Sequence, residues 1–120
     1  MQQRKRIYVA GAYSADNVID VLNNIRNGNK MAAQLMRLGF APFSPWLDYQ
    51  FQFFEVLSIK DYYDYSIAWL LVSDAILVLP NFENSKGTLN EISIAEQKGI
   101  PIFYSLNDLL DNLNYGGHRK

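Results

Sequence analysis

Ala75-Ile76-Leu77-Val78-Leu79 is an unbroken apolar run, closed by Pro80-Asn81. A strand of that kind must be covered on both faces, which calls for a parallel sheet with helices on either side. The rest of the chain fits the same plan. Ile7-Tyr8-Val9-Ala10 is a short β-branched and aromatic run ending at Gly11, and it reads as a first buried strand. Val18, Val21, Leu22, Ile25, Ala32, Leu35 and Met36 then recur at three- and four-residue steps, while Asn23, Asn24, Asn27, Lys30, Gln34 and Arg37 fall on the other side. That spacing predicts one long amphipathic helix, with N-cap candidates Ser14, Asp16 and Asn17 before it and Gly39 as its stop.

Phe40 to Phe43 reads as a second strand, confined to an edge by Pro42 and Pro45. Trp46 to Leu57 has no clear period and reads as a loop or a short irregular helix. Ser58 to Leu71 reads as a helix, and so does a segment opened by Gly87 or Thr88, ending at Gln97 and stopped by Gly99. Pro101 to Tyr104 gives a last strand, Leu106 to Leu113 a last short helix, and Asn114 to Lys120 a frayed tail. Alternating strands and helices imply right-handed βαβ units. The expected fold is a small doubly wound α/β domain, a Rossmann- or flavodoxin-like three-layer sandwich with four to five parallel strands. One such domain accounts for residues 1–120, with its ordered core at 6–113.

In folds of this type the ligand crevice lies beyond the carboxyl ends of the strands. Three loops are thereby selected: Gly11 to Asn17, Ser44 to Leu57, and Pro80 to Glu91. Composition narrows the chemistry that they can perform. The chain has no cysteine and one histidine, His118, which excludes thiolate metal sites, cysteine nucleophiles and a multi-histidine metal centre. Eleven basic side chains against 12 acidic ones leave a net charge of −1, no general attraction for nucleic acid or an anionic membrane. Arg4-Lys5-Arg6 precedes only four apolar residues, too few for a signal-peptide core or a bilayer span. Cytoplasmic residence is the expectation, and carboxylates, hydroxyls and backbone amides are left to do the work.

Ala10-Gly11-Ala12-Tyr13-Ser14 joins a strand to a helix and offers either a tight turn or an anion-binding approach. Ser85-Lys86-Gly87-Thr88-Leu89-Asn90-Glu91 admits two readings. Thr88 and Glu91 have the spacing of a capping box, in which the glutamate serves its own helix. Alternatively Glu91, in the first helical turn, faces the crevice with its ionised form favoured by the helix dipole, behind an anion nest at Ser85. The rings of the middle loop, Trp46, Tyr49, Phe51, Phe53 and Phe54, suit a ligand or a subunit surface, beside one acid, Asp48. Asp61, Tyr62, Tyr63, Asp64 and Tyr65 read first as a solvated acidic helix face. Asp74 reads as structural, at the sheet end away from the crevice.

The first strand ending in Gly11, the Leu38-Gly39 helix end, the proline-rich second strand and the Ser-x-Gly-x-x-x-Glu turn resemble the nucleoside 2-deoxyribosyltransferase-like superfamily. They come in the expected order over roughly residues 7–110. This superfamily includes the 2-deoxynucleoside 5′-monophosphate N-hydrolases and many small, often phage-borne, uncharacterised members, which the chain matches best. The resemblance implies that Glu91 is a nucleophile attacking C1′ of the deoxyribose, forming a glycosyl-enzyme, and that Tyr8 orients it. It implies that Ser85, with Gly87 and the loop carrying Gly11, Tyr13 and Ser14, holds a 5′-phosphate. Asp48 or Asp64 would contact or protonate the base, against which the rings stack.

Two departures stand out. The position of the family's second acid, counted back from Trp69-Leu70, holds Ser66, for which Asp64 or Asp61 would have to substitute. The first loop is also less basic and less glycine-rich than in the hydrolases. The resemblance further implies a small nucleoside or nucleotide ligand, no cofactor or metal, no polymer or membrane partner, and a homo-oligomer (dimer or tetramer). Whether the reaction is hydrolysis or transfer stays open. So do two alternatives, an inactive nucleotide-binding module of the same fold and a subunit whose rings serve assembly.

Overall fold

A computed structural model describes residues 3–113; His118 and the tail expected from Asn114 onward lie outside the described residues. Strands β1 (Arg6–Ala10), β2 (Ala41–Phe43), β3 (Ala75–Val78) and β4 (Ile102–Phe103) form one sheet in the order β2-β1-β3-β4. All three pairings are parallel. Helices α1 (Val18–Arg37), α2 (Ile59–Leu71), α3 (Lys86–Lys98) and α4 (Leu106–Asn112) connect and flank the strands. The doubly wound three-layer α/β fold is therefore the one expected, with four strands.

The two faces of the sheet follow from the period of two along each strand. Ile7, Val9, Ala75 and Leu77 turn to one side and pack with Leu35 of α1 and Leu109 of α4. Tyr8, Ala10, Ile76 and Val78 turn to the other side, against Leu70 of α2 and Ile92 and Ala95 of α3. Burial on both faces explains the unbroken apolar run in β3. As expected, the proline-bearing β2 lies at an edge.

Helix α1 starts at Asn17, whose side chain accepts from the Asp20 amide. Helix α3 begins a residue or two earlier than expected, because Ser85 rather than Thr88 takes the cap: its side chain accepts from the Thr88 amide. Gly99 ends α3 in the left-handed region, φ 71°, where glycine pays no Cβ penalty. Trp46 to Leu57 becomes a 3-10 helix over Pro45–Phe53. It is anchored by Trp46, which is 1% exposed and donates its indole N–H to the Ala12 carbonyl at 3.1 Å.

The indole lies over Gly28 in the middle of α1, and a Cβ built there would overlap the ring. Gly11 sits between Leu79 and the same ring, at 3.1 and 3.2 Å from a built Cβ. Both glycines thus admit Trp46, and Trp46 in turn fixes the first loop to the middle one. At the opposite end of the sheet, Asp74 accepts from the Arg6 backbone amide at 2.7 Å, the structural role expected of it.

Candidate active site

The three loops chosen by the crevice rule converge beyond the carboxyl ends of β1 and β3. They enclose two adjoining chambers that share Tyr13, Pro45, Gly87 and Glu91. The first, about 420 Å³, is walled by Asp48, Tyr49, Gln52, Tyr62, Tyr63 and Ser66. The second, about 440 Å³, is walled by Gly11, Ser14 and Trp46 on one side and by Ser85, Lys86 and Thr88 on the other. Glu91 stands at their junction.

Tyr8 is wholly buried mid-strand in β1 and stacks on Phe43, centroids 5.3 Å apart. Its hydroxyl donates to Glu91 Oε2 at 2.5 Å. The Thr88–Glu91 capping box does not form; Glu91 is the sixth residue of α3, more than one and a half turns past the cap. At that depth the helix terminus contributes little, and the expected lowering of its pKa is reversed. Burial raises Glu91 to about 7, and the Tyr8 hydrogen bond opposes the shift without cancelling it. The Tyr8 phenol is pushed far up, first by burial and then by the neighbouring Glu91 charge.

Asp48 is buried, with its pKa raised to about 6 by desolvation. Ser66 Oγ donates to its Oδ2 at 3.4 Å, and Ser66 also acts on the Tyr8 phenol, lowering its pKa in opposition to burial. The serine at the position where the resembled family has an acid therefore lies between a tyrosine–glutamate pair and an aspartate contributed by the 3-10 helix. A sequence reading takes Ser66 as a missing acid; it cannot see that another element delivers one to it.

Asp64 is not brought to the site. It pairs with Lys60 at 2.5 Å, four residues earlier on the exposed side of α2, and lines neither chamber. Asp61 closes a capping box with Ser58 on its own helix. Tyr13 spans both chambers, its backbone carbonyl held by Asn24 Nδ2 at 3.1 Å, and burial with the Asp48 charge nearby raises its pKa. Ser85 Oγ lies 2.8 Å from Thr88 Oγ1, either able to donate.

Gly87 borders both chambers, and a Cβ built on it meets nothing within 4 Å. The ring-rich segment divides its labour. Trp46 is core and Tyr49 is chamber wall, while Phe53 and Phe54 are 75% and 82% exposed. Among the wall residues that escaped the sequence reading are Lys86, hidden in a motif read for its glycine and glutamate, Gln52, in the segment without a clear period, and Tyr62 and Tyr63, read as part of a solvated face. Among the described residues no helix is long and apolar enough to cross a membrane.

The profile of a family described as a domain of unknown function, DUF4406, matches residues 5–104. No curated protein matches the sequence. Among solved structures, a 2-deoxyribosyltransferase from Bacillus psychrosaccharolyticus is similar at 20% identity and TM-score 0.60, over 81% of this chain and 69% of that one. A conserved protein from Enterococcus faecalis V583 is similar at 18% identity and TM-score 0.58, over 92% of this chain and 77% of that one. The chain belongs to the DUF4406 family and has a nucleoside deoxyribosyltransferase-like fold.

Proposed function

We propose that this DUF4406 member cleaves or transfers the N-glycosidic bond of a deoxynucleoside or its 5′-monophosphate, with Glu91 as nucleophile. The observation that carries this reading is the 2.5 Å bond from the Tyr8 hydroxyl to Glu91 at the junction of two chambers. The fold shared with a 2-deoxyribosyltransferase agrees with it.

The ionised Glu91 oxygen attacks C1′ as the C1′–N bond breaks, and the electron pair leaves on the base. The Asp48 carboxylate contacts that base, which takes its proton from water as it departs. The oxocarbenium-like charge is stabilised by the carboxylate, which Tyr8 holds in one orientation. Water, or a second base, then attacks C1′ and releases Glu91. The base occupies the tyrosine-lined chamber. The 5′-phosphate occupies the other, where Ser85, Gly87 and the Gly11–Ser14 loop meet Lys86, a cation that offsets the weakly basic first loop.

The test is incubation with the four deoxynucleosides and their 5′-monophosphates while free base is followed. Glu91→Ala should abolish release, and release that persists in that variant refutes the nucleophile. A binding module without turnover is favoured by one observation, the serine at position 66. Calorimetric binding with no base released from any of the eight compounds would establish that alternative.

A further inference from the structure

The Tyr62 hydroxyl is buried and has no hydrogen-bond partner among the described residues. An orphaned hydroxyl is costly unless something outside the chain completes it. Tyr62 lines the first chamber with Ser66, one helical turn on, and with Asp48 facing them from the 3-10 helix. Asp48 is buried, yet among the described residues its carboxylate accepts only the long bond from Ser66. The chamber lining therefore includes an under-satisfied acceptor and a hydroxyl free to donate.

We infer that Asp48 and Tyr62 together select a nucleobase by its amidine edge, an exocyclic amino group beside an unprotonated ring nitrogen, as in adenine and cytosine. The amino group donates to Asp48, and the ring nitrogen accepts from Tyr62. Ser66 is a positioning residue, holding the Asp48 carboxylate toward the chamber. An oxo base in the same place sets a carbonyl oxygen against the carboxylate and an N–H where an acceptor is wanted. The inference rests on reading the chamber as a nucleoside site, and adds which bases it takes.

Two size-matched pairs isolate the effect: deoxyadenosine against deoxyinosine 5′-monophosphate, and deoxycytidine against deoxyuridine 5′-monophosphate. Binding is measured by calorimetry in the Glu91→Gln background, and base release is measured separately with the wild-type protein. We expect the amino-bearing member of each pair to bind about ten-fold tighter or more, the scale of one hydrogen bond to a charged group. Tyr62→Phe should shrink that gap several-fold without lowering Tm, since it removes a hydroxyl that no described residue satisfies. Asp48→Asn, whose amide can donate, should narrow or invert the gap.

Equal affinity within both pairs, or gaps unchanged in both variants, overturns the inference even if base is released. A gap that depends on Tyr62 and Asp48, with no base released by wild type, upholds it and overturns the glycosidase reading instead. No measurable binding of any nucleotide overturns both.

Discussion

Glu91 carries an unfavourable burial, which raises its pKa. Its partner Tyr8 cannot relax away, being clamped mid-strand against Phe43. Tyr8→Phe keeps the ring and deletes the donor. Because the hydroxyl bond opposes the rise in the Glu91 pKa, its loss should move the acid limb of kcat/KM upward from about 7. Turnover should also fall about 10- to 100-fold, read from rates across pH 5 to 9 on the proposed substrates. The Tyr8–Glu91 pairing was foreseeable only through the family resemblance, which implies that Tyr8 orients Glu91; strand and helix patterns alone leave Glu91 open between a capping box and the crevice. Asp48 was visible only as a candidate. It accepts a hydrogen bond from Ser66, 18 positions away, and no local pattern records that contact. The electrostatics of Glu91 were not legible in the local pattern, because the shift comes first from burial among residues distant in sequence.

Between elements, the tightest constraint is the passage of the Trp46 indole over Gly28. Gly28→Ala gains up to about 1 kcal/mol of helix propensity but drives a methyl into the ring, so a net loss of about 1–3 kcal/mol is expected in chemical denaturation. Gly87→Ala gives the opposite pattern. Its Cβ meets only open space, so stability should hold or rise slightly, while nucleotide affinity falls because the methyl enters the chamber mouth. Calorimetry and a melting curve on the same sample separate the two effects. The long helix was legible from its three- and four-residue period, and the central strands from their unbroken apolar runs. The 3-10 helix was legible only as one of two alternatives, a loop or a short irregular helix, since its nine residues follow neither a period of two nor one of 3.6.

Across the whole molecule, two carboxylates with raised pKa values tie folding to pH. Glu91 rises from 4.5 to about 7 and Asp48 from 3.8 to about 6. For both, the folded state binds the proton more tightly than the unfolded chain. Their contribution to stability is therefore complete below about 4 and is lost as pH rises through 7, roughly 3 kcal/mol each at most. Glu91→Gln should accordingly raise Tm at pH 8 and change it little near pH 4.5. A Tm gain that is the same at both pH values would show that charge burial is not the cause. The architecture was readable at this scale because alternating strands and helices allow few topologies, and the crevice rule then named the loops. What those loops enclose depended on side chains meeting across the gap.

Trp46 and Trp69 divide the molecule's light emission between two environments. Trp46 is sealed in the interior and tied to the loop that spans both chambers, whereas Trp69 is 44% exposed and stacked on Phe43. Excited together, they should give a blue component and a red one, so an occupant that displaces the first loop would dim the blue while the red holds steady. The protein thereby carries a built-in optical gauge, needing no dye or label, for following a guest as it arrives.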